Sequence, residues 1–141
     1  MKTFPPRSND RRAIAQFERI GHTSGRAQAY ANLGYKLSQA GEYAEALTYC
    51  ERGITLAREI GDALAVADVT DTIAAICLAE NDLAAAVEHG EEAARLYLEV
   101  GAIAQAAGAL EIAANALEAA GERARATETR ERAKELDTTA A

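Results

Sequence analysis

The sequence predicts an all-α solenoid of three helical hairpins with a short leading helix. Three observations predict it. The first is a helix-stop residue that returns every 40 positions. Gly21, Gly61 and Gly101 mark one phase; Gly41, Asn81 and Gly121 mark a second, half a period later. Each suits the left-handed residue that closes a helix, which glycine adopts without steric cost and asparagine tolerates. Two stops per period mean two helices per repeat. The second observation is proline: Pro5 and Pro6 are the only two, and both precede the first helix signal. The third is identity at fixed spacing: Ala27, Ala67 and Ala107; Ala44, Ala84 and Ala124; Ala46, Ala86 and Ala126; Glu51, Glu91 and Glu131; Leu56, Leu96 and Leu136. Self-similarity at such a period indicates stacked repeats.

Taken in order, residues 1–9 are expected to be disordered or extended. One domain follows over 10–137, with repeats at about 21–60, 61–100 and 101–137, and then a flexible tail at 138–141. Asp10 to Ile20 reads as a short helix with Ile14, Phe17 and Ile20 on one side. The first helix of repeat one runs from about Ser24, a plausible N-cap, to Ala40, with Ala27, Tyr30, Leu33, Gly34 and Leu37 inward. Its second helix, about Glu42 to Ile60, turns Tyr43, Ala46, Leu47, Cys50, Ile54 and Ala57 inward. In repeat two, Asp62 and Asp82 directly follow stop residues, where caps belong. The inward faces there are Val66, Val69, Ile73, Ile76 and Cys77, then Leu83, Ala86, Val87, Ala94, Tyr97 and Val100. Repeat three offers Ile103, Ala107, Leu110, Ala114 and Leu117. Its second helix, about Glu122 to Asp137, is far more polar, as a terminal repeat with one solvent face must be. Gly53 and Gly90 fall inside helices, each at a cost of about 1 kcal/mol relative to alanine. Close helix contact is the expected compensation.

Composition narrows the function. The net charge is −7, and no basic stripe appears, so nucleic-acid binding is not expected. The first ten residues hold no apolar run, so neither a signal peptide nor a membrane span is expected. Cys50 and Cys77 stand alone at core positions, which favours a reducing compartment and a cytoplasmic location. Catalytic and metal patterns are missing. His89 lies in Glu88-His89-Gly90-Glu91-Glu92, without the second histidine of a zinc helix, and no phosphate loop occurs. Neither an enzyme, nor a cofactor, nor a metal site is expected.

From Tyr30 to Gly53 the chain resembles a tetratricopeptide repeat. The pattern appears as Tyr30, Leu33-Gly34, Leu37, Gly41, Tyr43 and Ala46. Repeat two keeps it as Thr70, Ile73-Ala74, Cys77, Asn81, Leu83, Ala86 and Ala93; repeat three as Leu110, Ala113-Ala114, Leu117, Gly121, Ala126 and Ala133. Gly34, Ala74 and Ala114 are small where paired helices approach, since a longer side chain there would overpack the contact. Two features depart from the family. The period is 40 rather than 34, and the proline near the end of the second helix is missing. The longer form is similar to repeats in spindle-orientation adaptors, kinesin light chains and bacterial signalling regulators. The resemblance implies a right-handed α-solenoid that recognises a protein or peptide in a concave groove lined by the first helix of each pair.

Carried over by register, the groove positions are Gln28, Ala31, Asn32, Tyr35 and Gln39; Asp68, Asp71, Thr72 and Ala75; and Gly108, Glu111, Asn115 and Glu118. Four are carboxylates and none is a lysine or arginine. The family's lysine-rich clamp for acidic chaperone tails is therefore absent, and a basic or amide-rich peptide is the expected partner. Two alternatives stand beside this reading. The chain assembles with copies of itself, through Ile14 and Phe17 or through the terminal helices. Or it is the ligand-sensing segment of a signalling regulator.

Overall fold

The computed structural model describes residues 23–140, with Arg12 and Ala15 ahead of them. These residues form six α-helices: α1 (Thr23–Gln39), α2 (Tyr43–Glu59), α3 (Ala63–Ala79), α4 (Leu83–Glu99), α5 (Ile103–Ala119) and α6 (Arg123–Ala140). Among the described residues there is no strand. The fold class is the all-α, TPR-like repeat that the sequence predicts. Residues 1–9, Gly21, Ala141 and, apart from Arg12 and Ala15, the expected helix from Asp10 to Ile20 lie outside the described residues; Ile14 and Phe17 are among these.

One stop device closes five successive helices. Gly41, Gly61, Asn81, Gly101 and Gly121 have φ of 80°, 69°, 64°, 75° and 84°. At the first of them the Gly41 amide donates to the Ser38 carbonyl (3.1 Å) and the Glu42 amide to the Leu37 carbonyl (2.9 Å). That pair of bonds satisfies carbonyls the helix would otherwise leave without partners. The same pair recurs at each later stop, ending with the Glu122 amide on Leu117 at 2.9 Å. The residue after each stop then opens the next helix: the carbonyls of Glu42, Asp62, Asp82, Ala102 and Glu122 accept from the amide four residues on. Asp62 and Asp82 add the expected side-chain caps, accepting from the amides of Ala65 (3.0 Å) and Ala85 (3.4 Å). Ser24, expected ahead of the first turn, has helical backbone within α1.

Two compact units divide the chain, one up to Thr72 and the other from Ile73, with the boundary inside α3. In the first unit α1 and α2 form a hairpin. All five expected inward residues of α1 are buried, Ala27 and Leu33 at 1% exposure. The hairpin closes tightly at Gly34, where an added Cβ would lie 2.5 Å from Cys50 Sγ and 3.1 Å from the Ala46 carbonyl oxygen. Gly53 makes a close approach from the other side, with a Cβ there 3.2 Å from the Ala27 carbonyl. The interior glycine thus permits a backbone approach that alanine would strain.

In the second unit α4 pairs with α5 and α5 with α6. Ala106, Ala109, Leu110, Ala113, Ala114, Ala116 and Leu117 of α5 are essentially inaccessible, so α5 is covered on most of its circumference. Ala116 joins Cys77 of α3 and Ala86 of α4 in one apolar cluster, flanked by Ile73 and Leu83. Gly90 lets α4 approach α5; its Cβ would stand 3.1 Å from both the Ala109 carbonyl and the Ala113 Cβ. Burying side chains as large as Leu110 and Leu117 contributes about 2 kcal/mol each. α6 buries only a narrow stripe, Ala126, Thr129 and Ala133, and exposes the rest of its polar surface. Arg125 on α6 reaches Glu91 on α4 at 3.7 Å. One expected core residue is corrected. Val100 is the C-cap of α4 rather than part of its inward face, and it is 41% exposed.

Candidate functional site

The positions assigned by register to partner binding fall on three first helices, and each unit carries its own set. In the first unit, α1 presents Gln28, Asn32, Tyr35 and Gln39 to solvent along one edge. Spacing of four residues couples them in pairs, because such residues lie one turn apart on the same face. Gln28 Nε2 donates to Asn32 Oδ1 at 3.1 Å, and Gln39 Nε2 donates to the Tyr35 hydroxyl at 2.9 Å. Tyr35 is 51% exposed and stands as an aromatic plane fixed at its tip by an amide. Ala31 is instead buried at 6% exposure, beside the α2 backbone near Gly53.

On α3 the same unit holds Asp68, Asp71 and Thr72, all half-buried. Thr72 turns its hydroxyl back onto the Asp68 carbonyl at 3.1 Å. Asp71 is the most perturbed carboxyl of the set. Its Oδ1 is buried without a hydrogen-bond partner. Burial, followed by the charge of Asp68, pushes its pKa up from 3.8 to about 6. At neutral pH it is ionised against this resistance, so a cation placed beside it would relieve the penalty.

The second unit carries Ala75 near the end of α3 and Gly108, Glu111, Asn115 and Glu118 on α5. Gly108 is open, with nothing within 4 Å of where its Cβ would be. Glu111 is half-buried and Asn115 and Glu118 are exposed. Here the side chain that sequence reasoning missed is Arg130 of α6. Its Nη2 donates to Asn115 Oδ1 at 3.0 Å and to Glu118 Oε2 at 2.5 Å. Although no basic residue occupies the register positions themselves, one reaches them from the neighbouring helix. The carboxylate of Glu118 is therefore compensated internally. A weak signal existed in the sequence: Arg130 has no acid three or four residues away to hold it locally.

The two cysteines carry no chemistry in this arrangement. Burial, aided by Glu51, pushes the Cys50 thiol up to about 12, and burial first, then Asp82 and Glu80, raises Cys77. Both stay protonated, hence poor nucleophiles, and serve as small apolar side chains. Among the described residues no three histidine, cysteine, aspartate or glutamate side chains gather as a metal site, and no helix is long and apolar enough to cross a membrane.

The family model of the tetratricopeptide repeat matches residues 25–99, over half of the chain. The chain belongs to the tetratricopeptide repeat family. The match spans α1 to α4, the first two TPR hairpins. α5 and α6 continue the same pattern with the same stop geometry. No curated protein matches the chain. TPR repeats are non-catalytic modules that mediate protein–protein interaction, and TPR domains take protein partners as ligands.

Proposed function

We propose that the chain is a protein-interaction scaffold whose first helices hold a basic or amide-rich peptide segment in a concave groove. The observation that carries this reading is Asp71, half-buried, with an unpartnered carboxylate oxygen and an acidic neighbour one turn away. A carboxylate in that position gains from an incoming ammonium or guanidinium, because the cation offsets both the burial cost and the repulsion from Asp68. The exposed amides of Gln28 and Asn32 offer donors and acceptors to an extended backbone. Tyr35 offers a rigid aromatic plane that loses little entropy on binding. Asp68, Asp71 and Glu111 make the attraction to basic segments; Glu118, tied to Arg130, contributes little.

The test is capture of partners from cell extract, comparing the wild type with Asp68→Lys/Asp71→Lys and, separately, Glu111→Lys. Loss of basic partners from both variants, with melting curves retained, supports the reading. Identical capture by wild type and both variants would remove it. Self-assembly, the competing reading, would appear instead as light scattering that rises with chain concentration and is unaffected by these charge reversals.

A further inference from the structure

A second site lies in the hairpin of α1 and α2, built from residues the groove does not use. Arg26 and Tyr30 of α1 and Thr48, Glu51, Arg52, Thr55 and Leu56 of α2 line an open surface cavity of about 400 Å³. That volume lies in the range of sites for small ligands or single side chains. Thr48 and Thr55 bond their hydroxyls back to the carbonyls of Ala44 and Glu51.

The charges are unusual for so acidic a chain. Three arginines elsewhere are committed to acids: Arg95 pairs with Glu92 and Glu99, Arg125 with Glu91 and Glu122, and Arg130 with Glu118. Arg26 and Arg52 make no ion pair among the described residues, and neither has an acid three or four positions away. The Nε of Arg26 is buried and donates to nothing. A buried guanidinium donor without an acceptor costs stability until something supplies one. Arg52 is already positioned, its guanidinium carbon 5.2 Å from the centre of the Tyr49 ring, which stacks on Tyr30 at 6.0 Å. Stacking of this kind limits the rotamer freedom that binding would otherwise remove.

We infer that this cavity binds a carboxylate carried on an apolar body, held by Arg26 and Arg52 with its apolar part against Leu56. Two guanidiniums favour an anion, and their planar forks match a carboxylate. Glu51 on the same wall leaves a net charge of one, which suits a monoanion and disfavours a dianion such as phosphate. The ligand is either a free organic acid or a carboxylate of a protein partner, and the chemistry is shared. The site is independent of the groove reading and of its charge-reversal variants.

The probes are N-acetyl-leucine, its uncharged amide and inorganic phosphate, titrated into the full chain while the arginine Nε–H resonances are followed by NMR. A short peptide ending in leucine forms a further arm. The expected result is saturable shifts of the Arg26 and Arg52 signals with N-acetyl-leucine and binding at least tenfold weaker for the amide and for phosphate. Tighter binding of the peptide than of N-acetyl-leucine assigns the site to a protein partner; equal binding assigns it to a free acid. Arg52→Gln, at an exposed position, should keep the melting curve and lose at least tenfold in affinity. Equal binding of acid and amide, or no saturable shift with either acid, would overturn the inference.

Discussion

Replacing Asp71 by asparagine removes a charge that the fold resists. The pKa of Asp71 is raised from 3.8 to about 6, first by burial and then by Asp68. Below 3.8 the carboxyl is neutral in both folded and unfolded chains, and no penalty applies. Between 3.8 and about 6 the unfolded chain releases this proton first, so the folded chain binds more protons and stability falls as pH rises. Above about 6 the loss is complete and constant. At about 1.4 kcal/mol per tenfold change, the full loss is about 3 kcal/mol, trimmed by water that reaches part of the side chain. The amide of asparagine still leaves a buried oxygen short of a partner, at about 1 kcal/mol at every pH. Urea unfolding followed by circular dichroism, at pH 3.5 and at pH 7.5, separates the two effects. Asp71→Asn should gain about 2 kcal/mol over wild type at pH 7.5, equivalent to about 4–8 °C in Tm, and lose about 1 kcal/mol at the lower pH. A difference between variant and wild type that is equal at both pH values would refute this account of Asp71.

Other expectations follow from the same geometry. Gly34→Ala puts a methyl group 2.5 Å from Cys50 Sγ, so it should lower Tm despite the gain in helix propensity; Gly34→Leu should lower it by many degrees. Gly108→Ala meets nothing within 4 Å and should raise stability by about 1 kcal/mol in the same melting assay. Ala102 has the φ, ψ of a cap (−86°, 71°), close to the −88°, 78° of Asp82, but no side-chain acceptor; Ala102→Asp should gain about 0.5–1 kcal/mol by chemical denaturation. Asn81→Val forces a β-branched residue to φ 64° and should cost about 1–2 kcal/mol, whereas Asn81→Gly should cost nothing.

The fold was legible because helix endings are local. A left-handed residue needs glycine or asparagine, and the sequence prints one wherever the chain turns, from Gly41 to Gly121. The inward face of α1 was readable from spacing alone, since Ala27, Tyr30, Leu33, Gly34 and Leu37 share one side of a helix. Gly53 and Gly90 needed the structure to show which backbone each one admits. Val100 was misplaced because apolar character does not distinguish the last inward residue from the cap that follows it. Contacts between distant positions were the least legible. Arg130 lies 15 residues from Asn115, and no local pattern announces that pair. The cavity beside Arg26 and Arg52 is likewise made by two helices meeting, although the lack of a nearby acid partner for either arginine marks them both.

Recognition of basic segments by the first helices is tested most directly by titrating a lysine-rich and a glutamate-rich peptide across a salt series. The account predicts saturable binding of the lysine-rich peptide, weakening as salt screens the carboxylates and as pH falls below about 6, where Asp71 takes up its proton. Binding of both peptides with equal affinity, insensitive to salt, would contradict it.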